Sequence, residues 1–285
     1  LVTGVQTCAL PISLIVVKNL ARPGSGNQDA YSKAYTFFLL PHGLLAISIA
    51  TTFVPELVRR VRSADTVGFR QWTTSGVRWI LILTVPSSVA MVVLSHPIIV
   101  TLLEHGHFSS FASANTARAL AGLSVGLVGF SVYIFALRGF YAHEDTKTPF
   151  LINLFENVLN IVFAVALVHR HGVFGLGLAF GLAYMLSSVL VLWLLHTRHG
   201  AVDWPRLASI AWKTMSVSAC MGVVVWSIQY ALHARSGFTQ LAELFLCIGA
   251  GIITYVVGLY LVRVPEMHDL RSLLPRRSTD VGTEL

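Results

Sequence analysis

In the stretch PFLINLFENVLNIVF, Asn153, Glu156, Asn157 and Asn160 recur at spacings of three or four within an otherwise apolar run. On a helix, that spacing forms a single stripe. An ionised carboxylate at bilayer depth costs about 2–3 kcal/mol or more, so Glu156 is expected to face a protein interior and to have a partner there. Three functions fit: a site for a coupling cation, a proton-carrying carboxyl, or the polar wall of a cavity. Asparagines bonded to neighbouring helices around a paired or protonated Glu156 fit the same pattern with no transport role. Lys33, four residues after Asp29, is either half of an exposed ion pair with its stem snorkelling or a cation presented on a helix face. Glu104, His105 and His107 have ligand-type side chains, but Gly106 interrupts them and no third ligand follows at a useful spacing, so no metal is expected.

The elements that must position these residues are membrane spans. The chain has 285 residues, 55% of them hydrophobic and 12% charged, with a mean hydropathy of +0.71, too apolar for an ordinary soluble domain. The expected class is all-α, a polytopic transmembrane helix bundle. With about 20 apolar residues needed per crossing, seven segments qualify: 30–57, 76–103, 115–141, 149–169, 173–196, 207–232 and 239–262. SLIVVKNLA ahead of them resembles the end of an eighth. Cys220 and Cys247 lie in apolar runs and are expected to pack as small hydrophobes.

Positive residues set the orientation. With the carboxyl end of the first segment inside, only Lys18, Arg22, Lys33, Arg118, Arg170 and Arg235 of the twenty Lys and Arg fall outside. The net charge of +7 is thereby explained without nucleic acid, and a basic cytoplasmic tail is expected at 264–285. Pro41 and Pro86 fall within spans and predict kinks, either lining a cavity or serving packing alone. Gly175, Gly177, Ala179, Gly181 and Ala183 predict close approach by another helix. In GFYAHEDTKTPF, Thr148 is expected to cap a helix, with Pro149 in its first turn and Asp145 at the favourable end of its dipole. Reverse-translated, residues 2–12 match a strand of a common DNA-sequencing adapter, so 1–13 are expected to be foreign and the gene to extend upstream.

GFYAHEDTKTPF, together with LLPHGLLAISIATTFVPEL, LTVPSSVAMVVLSHPIIVTLLEHGHF and ARALAGLSVGLVGF in the same order, resembles the MurJ/MviN family of lipid II flippases over residues 13–263. The resemblance implies two pseudo-symmetric six-helix lobes followed by two helices, in the bacterial inner membrane. Residues 14–199 would be the carboxyl-terminal lobe and 200–263 the two added helices, which form a groove for a polyprenyl tail. The amino-terminal lobe of the same chain would be missing, and residues 1–285 alone are expected not to flip lipid.

The implied cargo is lipid II, an undecaprenyl pyrophosphate-linked muropeptide. Its head would be carried through a cationic aqueous cavity while its tail stays in the bilayer. No organic cofactor is implied, and a coupling cation or the membrane potential would supply the energy. Aligned on Pro41, the arginine and glutamate of many family members fall on Thr36 and Leu39, so that pair is absent here. Lys33, one turn before Thr36, is the candidate replacement. Arg138 either meets the incoming pyrophosphate or anchors its helix to lipid phosphates. The alternative carrier is a related exporter of the same superfamily, acting on another polyprenyl-linked saccharide or a drug. An enzyme acting on polyprenyl phosphates would need clustered acids, and here they are scattered.

Overall fold

The computed structural model describes residues 19–20, 26–104, 109–232 and 237–263, and every regular element among them is helical. The adapter-like stretch, most of SLIVVKNLA, His105, His107 and the basic tail lie outside the described residues. The first span is one rod made of α1 (Asn27–Pro41), a wide π turn (His42–Ala46) and α2 (Ile47–Arg62). Pro41 cannot donate to the carbonyl one turn back, and the wider turn that follows absorbs the misfit without breaking the rod. His42 points inward there, with Nδ1 3.0 Å from Ser131 Oγ and its ring 4.6 Å from that of Phe130.

The second span differs from the expected 76–103. Helix α3 (Thr66–Val93) starts where Asp65 accepts the Gly68 N–H at 2.8 Å, and the chain breaks at Leu94 before the short α4 (Ser95–Leu103). Pro97 accounts for that break, since it has no N–H to offer Val93. Pro86 does not break α3. The carbonyl it deprives of a donor belongs to Ile82, and Tyr255 supplies the missing bond by donating its hydroxyl there at 2.6 Å.

Helices α5 (Ser110–Val125) and α6 (Leu127–Ala142) are bent by 47° at Gly126 and together are long and apolar enough for one broken span. Helix α7 (Lys147–His199) is helical throughout except at Gly172, whose φ of 54° and ψ of −132° lie outside the helical region. A straight α7 would hold residues 148 and 198 about 75 Å apart. Instead, Arg198 bonds the Thr148 hydroxyl and lies 3.3 Å from Asp145 Oδ2. Gly172 therefore folds α7 into a hairpin of two crossings. With α8 (Trp204–Leu232) and α9 (Gly237–Leu261), the seven segments read from the sequence are all present.

Glycines set how closely the hairpin docks. A Cβ on Gly126 would lie 2.3 Å from the Gly181 Cα, and one on Gly177 would lie 2.7 Å from the Ala119 carbonyl oxygen. The small-residue face of 175–183 thus packs its second limb against α5 and the α5–α6 bend.

Candidate functional site

The polar stripe lies on the first limb of α7, whose start is fixed by side chains. Asp145, not Thr148, does the capping: its Oδ1 accepts the Lys147 and Thr148 N–H groups, each at 3.0 Å, while the Thr148 hydroxyl turns to Arg198. Partial burial pushes the Asp145 carboxyl up. Hydrogen bonds from Thr148 and Lys147, with Arg198 beside them, leave it below its ordinary value.

From that start, Leu151, Leu154, Phe155, Val158 and Val162 project outward, whereas Ile152, Glu156, Asn157, Asn160 and Ala164 are buried. Asn153 is half-buried. Glu156 is 2% exposed, and Tyr184 of the second limb is within electrostatic reach of it. Tyr31 and Tyr35 of α1 and Tyr133 of α6 are within electrostatic reach of it. Four tyrosines from three helices therefore surround one carboxylate, a grouping the sequence did not disclose. Its one sequence signal is the spacing of Tyr31 and Tyr35, one turn apart on the face of α1 opposite Lys33.

The asparagine bonding runs along the helix and not across to neighbours as expected: Asn157 Nδ2 donates to the backbone and side-chain oxygens of Asn153, both at 2.8 Å. Glu156 Oε1, Asn157 Oδ1, Asn160 Oδ1, Tyr133 Oη and Ser187 Oγ are buried without a hydrogen-bond partner among the described residues. Each such group costs about 1–3 kcal/mol. Three of the five are oxygens that can only accept when Glu156 is ionised, so the cluster has surplus acceptors. A proton on the carboxyl or a small cation would satisfy such a set.

Lys33 and Thr36 are not part of this cluster. Tyr31, Ala34 and Phe38 form the buried face of α1, and Lys33, Thr36 and Leu40 lie on its exposed face, so the rod stands between Glu156 and that open side. The open face continues through Leu44, Ile47, Ser48, Thr51 and Thr52. Hydroxyls of Thr36, Ser48, Thr51 and Thr52 donate to carbonyls one turn back, which lets them sit in a span without other partners. The spacing of Ser48, Thr51 and Thr52 continues the line of Lys33 and Thr36, so helical periodicity alone groups them on one face. Arg138 is exposed near the far end of α6, apart from both groups.

A second feature is apolar. Helices α3, α8 and α9 enclose a groove of about 380 Å³, lined by Pro86, Ala90, Met221, Val225, Ile252 and Tyr255 among others. The Tyr255 bond to Ile82 thus heals the proline defect and shapes the groove wall.

The family model described as "Lipid II flippase MurJ" matches residues 2–246. A probable lipid II flippase MurJ of Vibrio cholerae is 28% identical over 260 residues, which is 90% of this chain and 49% of that protein. The one from Rhizobium meliloti is 27% identical over 87% of this chain and 46% of its own length. The solved structure "Lipid II flippase MurJ, inward closed conformation" superposes with a TM-score of 0.74 at 24% identity, over 88% of this chain and 51% of that one. An outward-facing multidrug resistance MATE family transporter of the MOP superfamily gives a TM-score of 0.54 at 17% identity, over 95% of this chain and 65% of that one. Those two structural likenesses show the fold. The chain spans about half the length of the curated relatives it matches.

Proposed function

Because the chain belongs to the lipid II flippase MurJ family, we propose that it forms one lobe of a carrier moving an undecaprenyl-linked peptidoglycan precursor across the bacterial inner membrane. The observation that carries this reading is that the lobe keeps a hydroxyl-bearing open face and a separate apolar groove. The face of α1 and α2 offers Lys33, Thr36, Ser48, Thr51 and Thr52 to a hydrated sugar–diphosphate head. The groove between α3, α8 and α9 takes the isoprenoid chain, which never leaves an apolar setting.

No covalent step is needed. The barrier is dehydration of the head, and a wet wall lowers it. Lys33 contributes a point charge where an arginine would make a bidentate contact, so its hold on phosphate is weaker and less oriented. Arg138 anchors α6 at the cytoplasmic surface, and the basic carboxyl end lies on that side too. Glu156 acts behind the wall: gaining a proton or a small cation removes its surplus of acceptors and changes how α1 rests on the α7 hairpin. That coupling would link an ion gradient to rocking of the open face.

The open face needs a second lobe opposite it, which we assign to an amino-terminal half of the kind the relatives possess. The test is growth of a strain depleted of its own lipid II flippase. Residues 1–285 alone are expected not to restore growth, whereas the same residues joined behind the amino-terminal half of a relative are expected to do so. Rescue by the 285-residue chain alone would refute the two-lobe requirement, and failure of the joined protein despite membrane insertion would refute the cargo.

A further inference from the structure

At the end of the bundle opposite α4, three connections meet: the turn between α2 and α3, the turn between α6 and α7, and the carboxyl end of α7. They enclose a cavity of about 300 Å³ lined by Arg60, Asp65, Phe69, His143, Arg198 and His199. The transport reading uses none of these side chains.

Their hydrogen bonds show what the cavity can still offer. Arg60 spends Nε on Glu56 and Nη1 on Asp65. Asp65, the acid in the lining, has both oxygens engaged: Oδ1 takes the Gly68 N–H and Oδ2 takes Arg60. Arg198 spends Nη1 on Asp145 and Thr148. A guanidinium has five N–H donors, so Nη2 of Arg60 and both Nε and Nη2 of Arg198 carry donors beyond those bonds. His143 and His199 stack with ring centroids 3.8 Å apart, and His143 is oriented by Nδ1 lying 2.9 Å from the Gly139 carbonyl oxygen. That bond assigns the Nδ1 proton to His143 and leaves Nε2 as its second polar atom.

Two arginines with further donors, two imidazoles and one acid whose charge is paired with Arg60 make a receptor for an anion with several oxygens. The helix ends around it carry Arg59, Arg62 and Arg206, which places the cavity at head-group depth on the positive side. We propose that this cavity binds a phosphoryl oxyanion, the chemistry shared by an anionic phospholipid head and free phosphate. Fork geometry favours the phosphoryl group over a single carboxylate, because Arg60 and Arg198 present donors from the ends of separate helices to separate oxygens. Binding ties the three connections together, so the ligand braces the α7 hairpin against α2 and α3.

The test uses the whole chain in nanodiscs of phosphatidylcholine, with and without phosphatidylglycerol, read by native mass spectrometry of retained lipid. Labelled inorganic phosphate is added separately to the phosphatidylcholine discs. Retention of phosphatidylglycerol over phosphatidylcholine, cut about tenfold by Arg60→Gln or by His199→Gln but unchanged by Arg206→Gln, assigns the site to lipid. Phosphate binding with the same dependence assigns it to the free anion. The two variants lie on different helices and leave the Arg198–Asp145 contact in place, so misfolding of one does not void the test. Equal retention of both lipids with no phosphate bound, or an equal loss in Arg206→Gln, overturns the proposal.

Discussion

A proline in a lipid-embedded helix leaves one carbonyl without a donor, and here the remedy is a single hydroxyl. Tyr255 supplies it to Ile82 from another helix. Tyr255→Phe should therefore cost about 1–3 kcal/mol in a denaturation titration. In a Pro86→Ala background, where residue 86 regains its N–H, the same change should cost much less, and equal costs in both backgrounds would dismiss the assignment. Glu156 poses the opposite problem, too many acceptors and too few donors. Glu156→Gln brings two amide donors to the cluster and should leave the fold intact, while transport by the joined two-lobe protein falls at least about tenfold if titration or cation capture drives it. Unchanged transport with Gln would reduce Glu156 to a packing role. The stripe itself was legible in the sequence because helical spacing alone puts 153, 156, 157 and 160 together. The tyrosines around it were not, since Tyr31, Tyr133 and Tyr184 meet only through packing of three distant segments. Nor could spacing settle whether Thr148 or Asp145 caps α7, because both are suitable capping types and only the turn geometry chooses.

At the scale of elements, apolar run length disclosed all seven helical segments, since the hydrocarbon core demands that length whatever the packing. The limits of the second span were less accessible: residues 66–75 are polar enough to read as loop, yet they continue α3 beyond the apolar run, and Pro97 stops the helix short of residue 103. The α7 hairpin depends on Gly172, whose positive φ suits glycine alone, and Gly172→Ala should destabilise the hairpin by about 1–3 kcal/mol. Gly126→Ala should do likewise by pressing a methyl into the backbone at Gly181, whereas Gly249→Ala, with nothing within 4 Å of the added carbon, should be harmless. Equal thermal stability of the Gly126 and Gly249 variants would contradict the packing described. Asp145 adds a pH dependence to the hairpin. Its carboxyl sits below the ordinary value in the folded chain, so its contribution is complete above an unfolded aspartate's pKa of about 4 and is lost as pH falls through the lower folded value. Acid titration of thermal stability should show that loss, and Asp145→Asn should abolish it.

The whole molecule has sides of different chemistry. Outward residues of α7 and α8, such as Val158, Val162, Met215 and Val223, are apolar and suit acyl chains, while the open face of α1 and α2 mixes hydroxyls and Lys33 among its leucines. That contrast, together with the groove beside α9, is what the proposed carriage of an amphiphile with a hydrated head and a long tail requires. Single cysteines test it directly in the joined two-lobe protein in bacterial membranes, with a water-soluble maleimide as the probe. Cysteine at Thr36, Ser48 or Thr52 is predicted to react readily, and cysteine at Val158 or Val162 to stay unlabelled. Equal protection at all five positions, or labelling confined to α7, would contradict a wet wall on the first span.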